Sequence, residues 1–248
     1  MLNYLRGEWY RVVTSGILAV LVVLFIFASV GINGFFALSN AFDDQCAFTT
    51  SDAVSVMMKY PLVFCFAAVV VGSFLYEEDF REGHLKNVLA HGISREQIIG
   101  VHFFVSAVVA LLLLAVSLVV YCASASLLLP KGNILSFTDL FLVSVYMIPL
   151  ASSSLMLCIV TLILANSSGA AFFTGFCVFN LIPRLTLFIG EKVEWVHQLA
   201  MWMPRNFLSQ PNVAWQSSQL FLICLLSGGI GTLFFMLLGL AGVRSKEF

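Results

Sequence analysis

Apolar residues along this chain gather into long runs, with polar residues confined to the stretches between them. Six runs stand out: Val12–Val30, Tyr60–Tyr76, Ile98–Ala125, Leu140–Ala165, Ala170–Ile189 and Leu220–Val243. A helix rises 1.5 Å per residue, so ~20 residues cross the ~30 Å hydrocarbon core of a bilayer. Each run meets that length, the second only just. The first is longer than the apolar core of a secretory signal peptide and reads as a retained span. Pro61 opens the second run in a first helical turn, where proline is tolerated. Pro149 is the expected kink of the fourth. The pattern predicts an all-α polytopic membrane protein: a single domain over 1–248 with six transmembrane helices.

The connections are unequal. Asn166–Gly169 is a tight turn between the fourth and fifth spans, whereas Glu77–Gln97, between the second and third, is the most charged stretch. Residues 190–219 form a long, amphipathic, tryptophan-rich segment before the last span. Ahead of the first span, within residues 1–11, Leu2, Leu5 and Trp9 continue to Val12 at helical spacing, with Asn3, Arg6 and Arg11 on the other face. That is the pattern of a short interfacial helix, or of a frayed start to the first span.

Composition sharpens the class. The chain is 60% hydrophobic and 10% charged, and its mean hydropathy is +1.01. Soluble domains are about 45–50% apolar and about 25% charged. A secreted domain, a cytosolic enzyme and a disordered chain are excluded. The net charge of −1 and the lack of a basic stripe give no sign of nucleic acid. Five of the six cysteines lie in apolar runs, and no CxxC or Cys/His cluster suggests zinc. Lys and Arg near span ends favour one side: Arg6, Arg11, Arg81, Lys86, Arg95, Arg244 and Lys246, against Lys59, Lys131, Lys192 and Arg205. The positive-inside rule then predicts cytoplasmic termini and a cytoplasmic 77–97 element. Trp9, Trp195, Trp202 and Trp215 all lie outside the apolar runs, as an aromatic belt requires.

The 77–97 element carries the most specific local signals. Leu85, Val88 and Leu89 make an apolar stripe, with Lys86, Asn87 and His91 as polar neighbours. Gly92 is placed to stop that helix in the left-handed conformation. Ser94-Arg95-Glu96-Gln97 has the spacing of a capping box that starts the next one. Helix, stop, capped helix and span describe an ordered docking element; charge alone would describe a solvated connector.

The run Gly83-His84-Leu85-Lys86-Asn87-Val88-Leu89, followed by Gly92-Ile93-Ser94-Arg95, resembles a pattern that follows the second span in bacterial permease subunits of type-2 ABC exporters. That pattern is G-x-[IL]-K-N-[VIL]-L-x-x-G-[IV]-S-R. It covers thirteen residues here, Gly83 to Arg95, with His84 standing where that family often has Thr. The layout of six spans is also similar to that of bacteriocin- and lantibiotic-immunity permeases. The resemblance implies a permease in a bacterial cytoplasmic membrane, paired with a second copy or a related permease. It implies that Gly83, Leu85, Lys86, Asn87, Val88, Leu89, Gly92, Ser94 and Arg95 contact a separate ABC ATPase dimer that binds the ATP and Mg. An antimicrobial peptide or another amphipathic molecule is the implied substrate.

Val193, Val196, Leu199, Ala200 and Met203 share one helix face, stopped by Pro204. That segment is either re-entrant, as the resemblance implies, or a helix lying on the outer surface. Arg184 is the sole charge well inside an expected span. It either snorkels to the interface or lines a pathway, and Trp195 and Trp202 join it as pathway candidates. No Walker A pattern is present, so ATP hydrolysis and its cofactors are expected on the partner chain. Ser227, Gly228, Gly231 and Gly239 are suited to close helix packing. Glu77-Glu78-Asp79-Phe80-Arg81 resembles the EExxxR motif of membrane prenyl-peptide proteases but is one residue out of register. The alternatives to an exporter are a secondary transporter or channel, which should carry mid-span charges that are nearly missing here, an intramembrane protease, and a scaffold subunit with no transport pathway.

Overall fold

The computed structural model describes residues 2–42, 48–60, 62–76, 88, 91–132, 137–208 and 218–245. The elements in chain order are α1 (Leu2–Thr14), α2 (Gly16–Phe42), α3 (Thr50–Lys59), α4 (Val63–Leu75), α5 (Arg95–Leu128), α6 (Phe137–Ala165), α7 (Ser168–Phe176), a π turn (Cys177–Leu181), α8 (Ile182–Gly190), α9 (Glu194–Met201), α10 (Pro204–Leu208) and α11 (Ser218–Ser245). Among the described residues there is no strand.

Five stretches are long and apolar enough to cross a membrane: Gly16–Phe42, Glu96–Leu128, Phe137–Ala165, Ser168–Gly190 and Gln219–Gly242. They make this a multi-pass helical membrane protein. The expected second span is not a straight helix. Its apolar run is α4, whose 13 residues reach only about 20 Å at 1.5 Å per residue. The preceding α3 meets it at a bend of 70°, and only the two taken together reach the length and apolarity of a span, as a broken span or a re-entrant loop.

The first span also departs from its expected limits. It starts at Gly16 rather than Val12, and it runs to Phe42, well past Val30. Ser15 breaks the chain between α1 and α2: both its N–H and its hydroxyl donate to the Val12 carbonyl, at 3.3 and 2.8 Å. Thr14 donates back to the Tyr10 carbonyl at 2.8 Å. Side chains that take backbone carbonyls in this way compete with the helical ladder and bend it.

Helix α6 is the central post. Its apolar residues from Leu140 to Ile163 are largely buried, and it packs against α4, α5, α7 and α11. Ser152, Ser153 and Ser154 sit mid-helix, and each hydroxyl finds an acceptor. Ser154 donates to the Cys65 carbonyl at 3.0 Å, and Ser152 Oγ is 3.1 Å from Thr232 Oγ1. Such bonds hold membrane helices together where apolar burial gives no net drive. The expected small-residue face is present on α11: Gly228 meets Pro149, Gly231 meets Ser153 and Gly239 meets Val160. Pro149 lies inside the continuous helix Phe137–Ala165.

The outward faces are apolar. Phe27, Phe35, Val119, Phe188 and Leu237 are all more than half exposed. An apolar surface of this extent needs lipid or another protein to cover it.

The two ends of the bundle differ. At one end lie α1, the end of α4, the start of α5 and the end of α11, joined in the largest buried cluster. At the other end lie the start of α3, the end of α5 and the α8–α10 segment. There the Thr50 N–H donates to the Pro130 carbonyl at 3.0 Å.

Candidate functional site

The elbow before α5 forms as its sequence requires. Gly92 has φ +80°, a conformation that side chains with a Cβ rarely adopt. Ser94 is the N-cap: its Oγ accepts the Gln97 N–H at 3.3 Å, and Gln97 Oε1 accepts the Ser94 N–H at 3.3 Å. The reciprocal pair satisfies two amides that the helix start would leave open. Helix α5 then runs 34 residues without a break, about 50 Å at 1.5 Å per residue. That exceeds the ~30 Å hydrocarbon core, so the helix projects into water beyond it.

Of the nine residues expected on the docking element, Gly83, Leu85, Lys86, Asn87 and Leu89 lie outside the described residues. Arg95 opens α5. Val88 is half-buried and packs, with Ile93, against the chain's own core. The chain's own neighbouring helices thus contribute to covering Val88.

Helix α1 is docked onto this end through a face that shares Leu5 and Val12 with its apolar spacing but not Trp9. Tyr4, Leu5, Glu8, Arg11 and Val12 turn inward, while Trp9 is exposed. Tyr4 Oη is 3.0 Å from Nε2 of the buried His102. Tyr76 stacks on the His102 ring, with centroids 4.1 Å apart, and the Arg11 guanidinium lies 5.3 Å from the Tyr76 centroid. Glu8 pairs with Arg11 at 2.8 Å. Arg11 was expected on the polar face. The ring of Tyr76, sixty-five residues away in sequence, gives it an inward partner that no local pattern reveals.

At the other end, the fifth span contains the π turn. The Ile182 N–H bonds to the Cys177 carbonyl, five residues back. Pro183 has no N–H and its ring crowds the carbonyl four residues before it. The widened turn accommodates both defects. Helix α8 then carries Arg184, which is exposed, and α9 folds back beside it, with Gly190 against His197. The expected helix face of 193–203 is only partly inward: Ala200 is buried, Val193, Val196 and Met203 are half-buried, and Leu199 is 57% exposed. Pro204 does more than stop α9, because it opens α10.

Buried Asn206 ties these pieces together. Its Nδ2 donates to the Pro183 carbonyl at 3.1 Å and to the Ala200 carbonyl at 2.7 Å. Thr186 Oγ1 donates to Met203 Sδ at 3.3 Å. Arg205 is thereby brought near Arg184. Burial, and then the charge of Arg184, hold the Arg205 guanidinium below its usual pKa. Trp195 on α9 and Trp202 just after it are exposed. Sequence reasoning missed Asn206 and the pairing of the two arginines. The one available signal was the polar Arg205-Asn206 pair just after Pro204.

Between these ends, at mid-span, an apolar cleft of about 230 Å³ separates α2, α4 and α5. Phe25, Ala28, Phe64, Ala67, Leu114 and Leu118 line it.

No family, curated protein or solved structure matches the chain.

Proposed function

We propose that this chain is the permease subunit of an ATP-driven exporter, forming half of a translocation pathway and docking on a separate ATPase dimer. The observation that carries the reading is the elbow at Gly92 and Ser94. A left-handed stop followed by a reciprocal cap fixes the direction of a short connection. It couples that connection rigidly to a helix long enough to pass through the membrane. A tether needs neither feature; a lever that transmits force from a soluble motor needs both.

The apolar outer faces of α2, α7, α8 and α11 supply surface for lipid and for a second permease, identical or related. In this reading the elbow end faces the cytoplasm of a bacterial cell. ATP and Mg belong to the partner, and the cargo is an amphipathic molecule such as an antimicrobial peptide.

In this reading the contacts with the ATPase include Lys86 and Asn87, the polar neighbours of the apolar stripe. Detergent-extracted chain should bring down a soluble ATPase. Lys86→Glu with Asn87→Asp should release it while leaving the permease folded. A chain that purifies with no ATPase, yet transports in proteoliposomes without ATP, would overturn the proposal.

A further inference from the structure

The outer turn of the fifth span places two arginines next to the two partners of one buried hydrogen bond. Asn206 donates to the Pro183 carbonyl at 3.1 Å. Arg184 follows Pro183 in the chain, and Arg205 precedes Asn206. The second bond from Asn206, to Ala200 at 2.7 Å, fixes the end of α9 against the same point. The two backbones are thus held together, and the charge of Arg184 acts on Arg205 across this joint.

Like charges brought together in this way repel unless something compensates them. Among the described residues neither arginine has a carboxylate within 4 Å; the ion pair there is Glu8–Arg11, at the other end of the bundle. The other charged and titratable side chains of the segment are Glu191 and Lys192 in the α8–α9 turn, and Glu194 and His197 on α9. Glu191 is seven residues beyond Arg184, about 10 Å along the axis.

The surroundings suit an amphiphile. Leu185 and Phe188 on α8 are 50% and 65% exposed, and Trp202, three residues before Arg205, is 75% exposed. Indole rings favour the depth where acyl chains meet headgroups. Guanidinium forks match phosphate oxygens two at a time.

We propose that Arg184 and Arg205 bind the phosphate of a lipid headgroup, with the apolar side of α8 receiving the start of its acyl chains. This site does not rest on the exporter reading, because it needs only a membrane edge.

The test uses the full chain in detergent, with short-chain phosphatidic acid as probe and diacylglycerol of the same chain length as the uncharged control. Phosphatidic acid should bind, and R184Q and R205Q should each weaken it about tenfold, the loss of one charge-assisted contact. R184K and R205K should fall between, since they keep the charge without the fork. K192Q, which removes an exposed cation from the same segment, should leave affinity within about twofold. Inorganic phosphate should compete only weakly. Arg184 is exposed, so R184Q should leave thermal unfolding unchanged and separate binding from folding. Equal affinity for phosphatidic acid and diacylglycerol would overturn the proposal, as would a K192Q effect equal to that of R184Q. Inorganic phosphate binding as tightly as phosphatidic acid would overturn the lipid assignment.

Discussion

Gly228 lies against the carbonyl group of Pro149, so close that a Cβ at 228 would overlap it. Here α11 meets the backbone of α6 directly. The contact combines two defects in helical regularity. Proline removes one hydrogen bond from α6, and glycine removes the side chain that would keep α11 away. Gly229, the next residue, has nothing within 4 Å of its Cβ position.

The pair makes an internal control. Gly228→Leu should force the two helices apart and cost about 1–3 kcal/mol or more, the range for overpacking a tight contact. Gly229→Leu puts the same side chain toward open space and should cost little. Thermal unfolding in detergent should rank them that way. Equal stability of the two variants would show that α11 is free to shift on α6.

The elbow gives a second ranking. A Cβ at Gly92 meets no neighbouring atom, so the penalty for substitution there comes from φ +80° alone. Gly92→Ala should therefore cost about 1–2 kcal/mol, and Gly92→Asn less, since Asn visits the left-handed region more readily. Ser94→Ala should cost about 1 kcal/mol through loss of the cap. Hydrogen exchange of the Gln97 and Ile98 amides should speed up in Ser94→Ala, with α6 unchanged. Faster exchange throughout the bundle would mean that the elbow is part of the global fold.

The elbow was legible in the sequence because its determinants are local: one glycine conformation, and one cap with its partner three residues on. The same holds for the tight turn at Asn166, where φ is 52° and Ser167 caps α7 by accepting the Ala170 N–H at 3.3 Å. Hydropathy also located most of the long spans. It could not locate the 70° bend between α3 and α4, because α3 carries Thr, Ser, Asp and Lys and lies outside the apolar run that α4 forms. Nor could it place Arg11 or Asn206. Each is oriented by a partner distant in sequence or by the packing of a whole cluster, and periodicity sees neither. The patch at Arg184 was half visible: a lone charge in a span draws notice, while its neighbour Arg205 comes from a different helix.

The mid-span cleft predicts opposite outcomes at adjacent positions. Ala67 lines the cleft, and Ala68 is 1% exposed in the packed core. Ala67→Leu adds methyl groups to open space and should be neutral or stabilising. Ala68→Leu should cost about 1–3 kcal/mol through displaced neighbours. Unfolding in detergent distinguishes them, and equal destabilisation would mean that the cleft closes in solution.

The last prediction concerns how α1 is held. Tyr4 Oη lies 3.0 Å from His102 Nε2, and Arg11, Tyr76 and His102 form a layered stack beneath the same helix. These contacts draw on three elements: α1, the end of α4 and the second turn of α5. A helix of 13 residues is marginal in isolation, so α1 should depend on them. Tyr4→Phe keeps the ring and removes the hydroxyl, at a cost of about 1–2 kcal/mol for a bond to a buried group. Arg11→Ala removes both the Glu8 ion pair and the packing over Tyr76, whereas Arg6 is exposed and Arg6→Ala should be silent. Hydrogen exchange across residues 2–14 should rise in Tyr4→Phe and Arg11→Ala, and tryptic cleavage after Arg6 should quicken in both. The spans should keep their protection, because the α6–α11 contact lies on separate helices. If Tyr4→Phe leaves α1 as protected as before, the helix is held by Leu5 and Val12 burial, and the polar stack serves only to orient it.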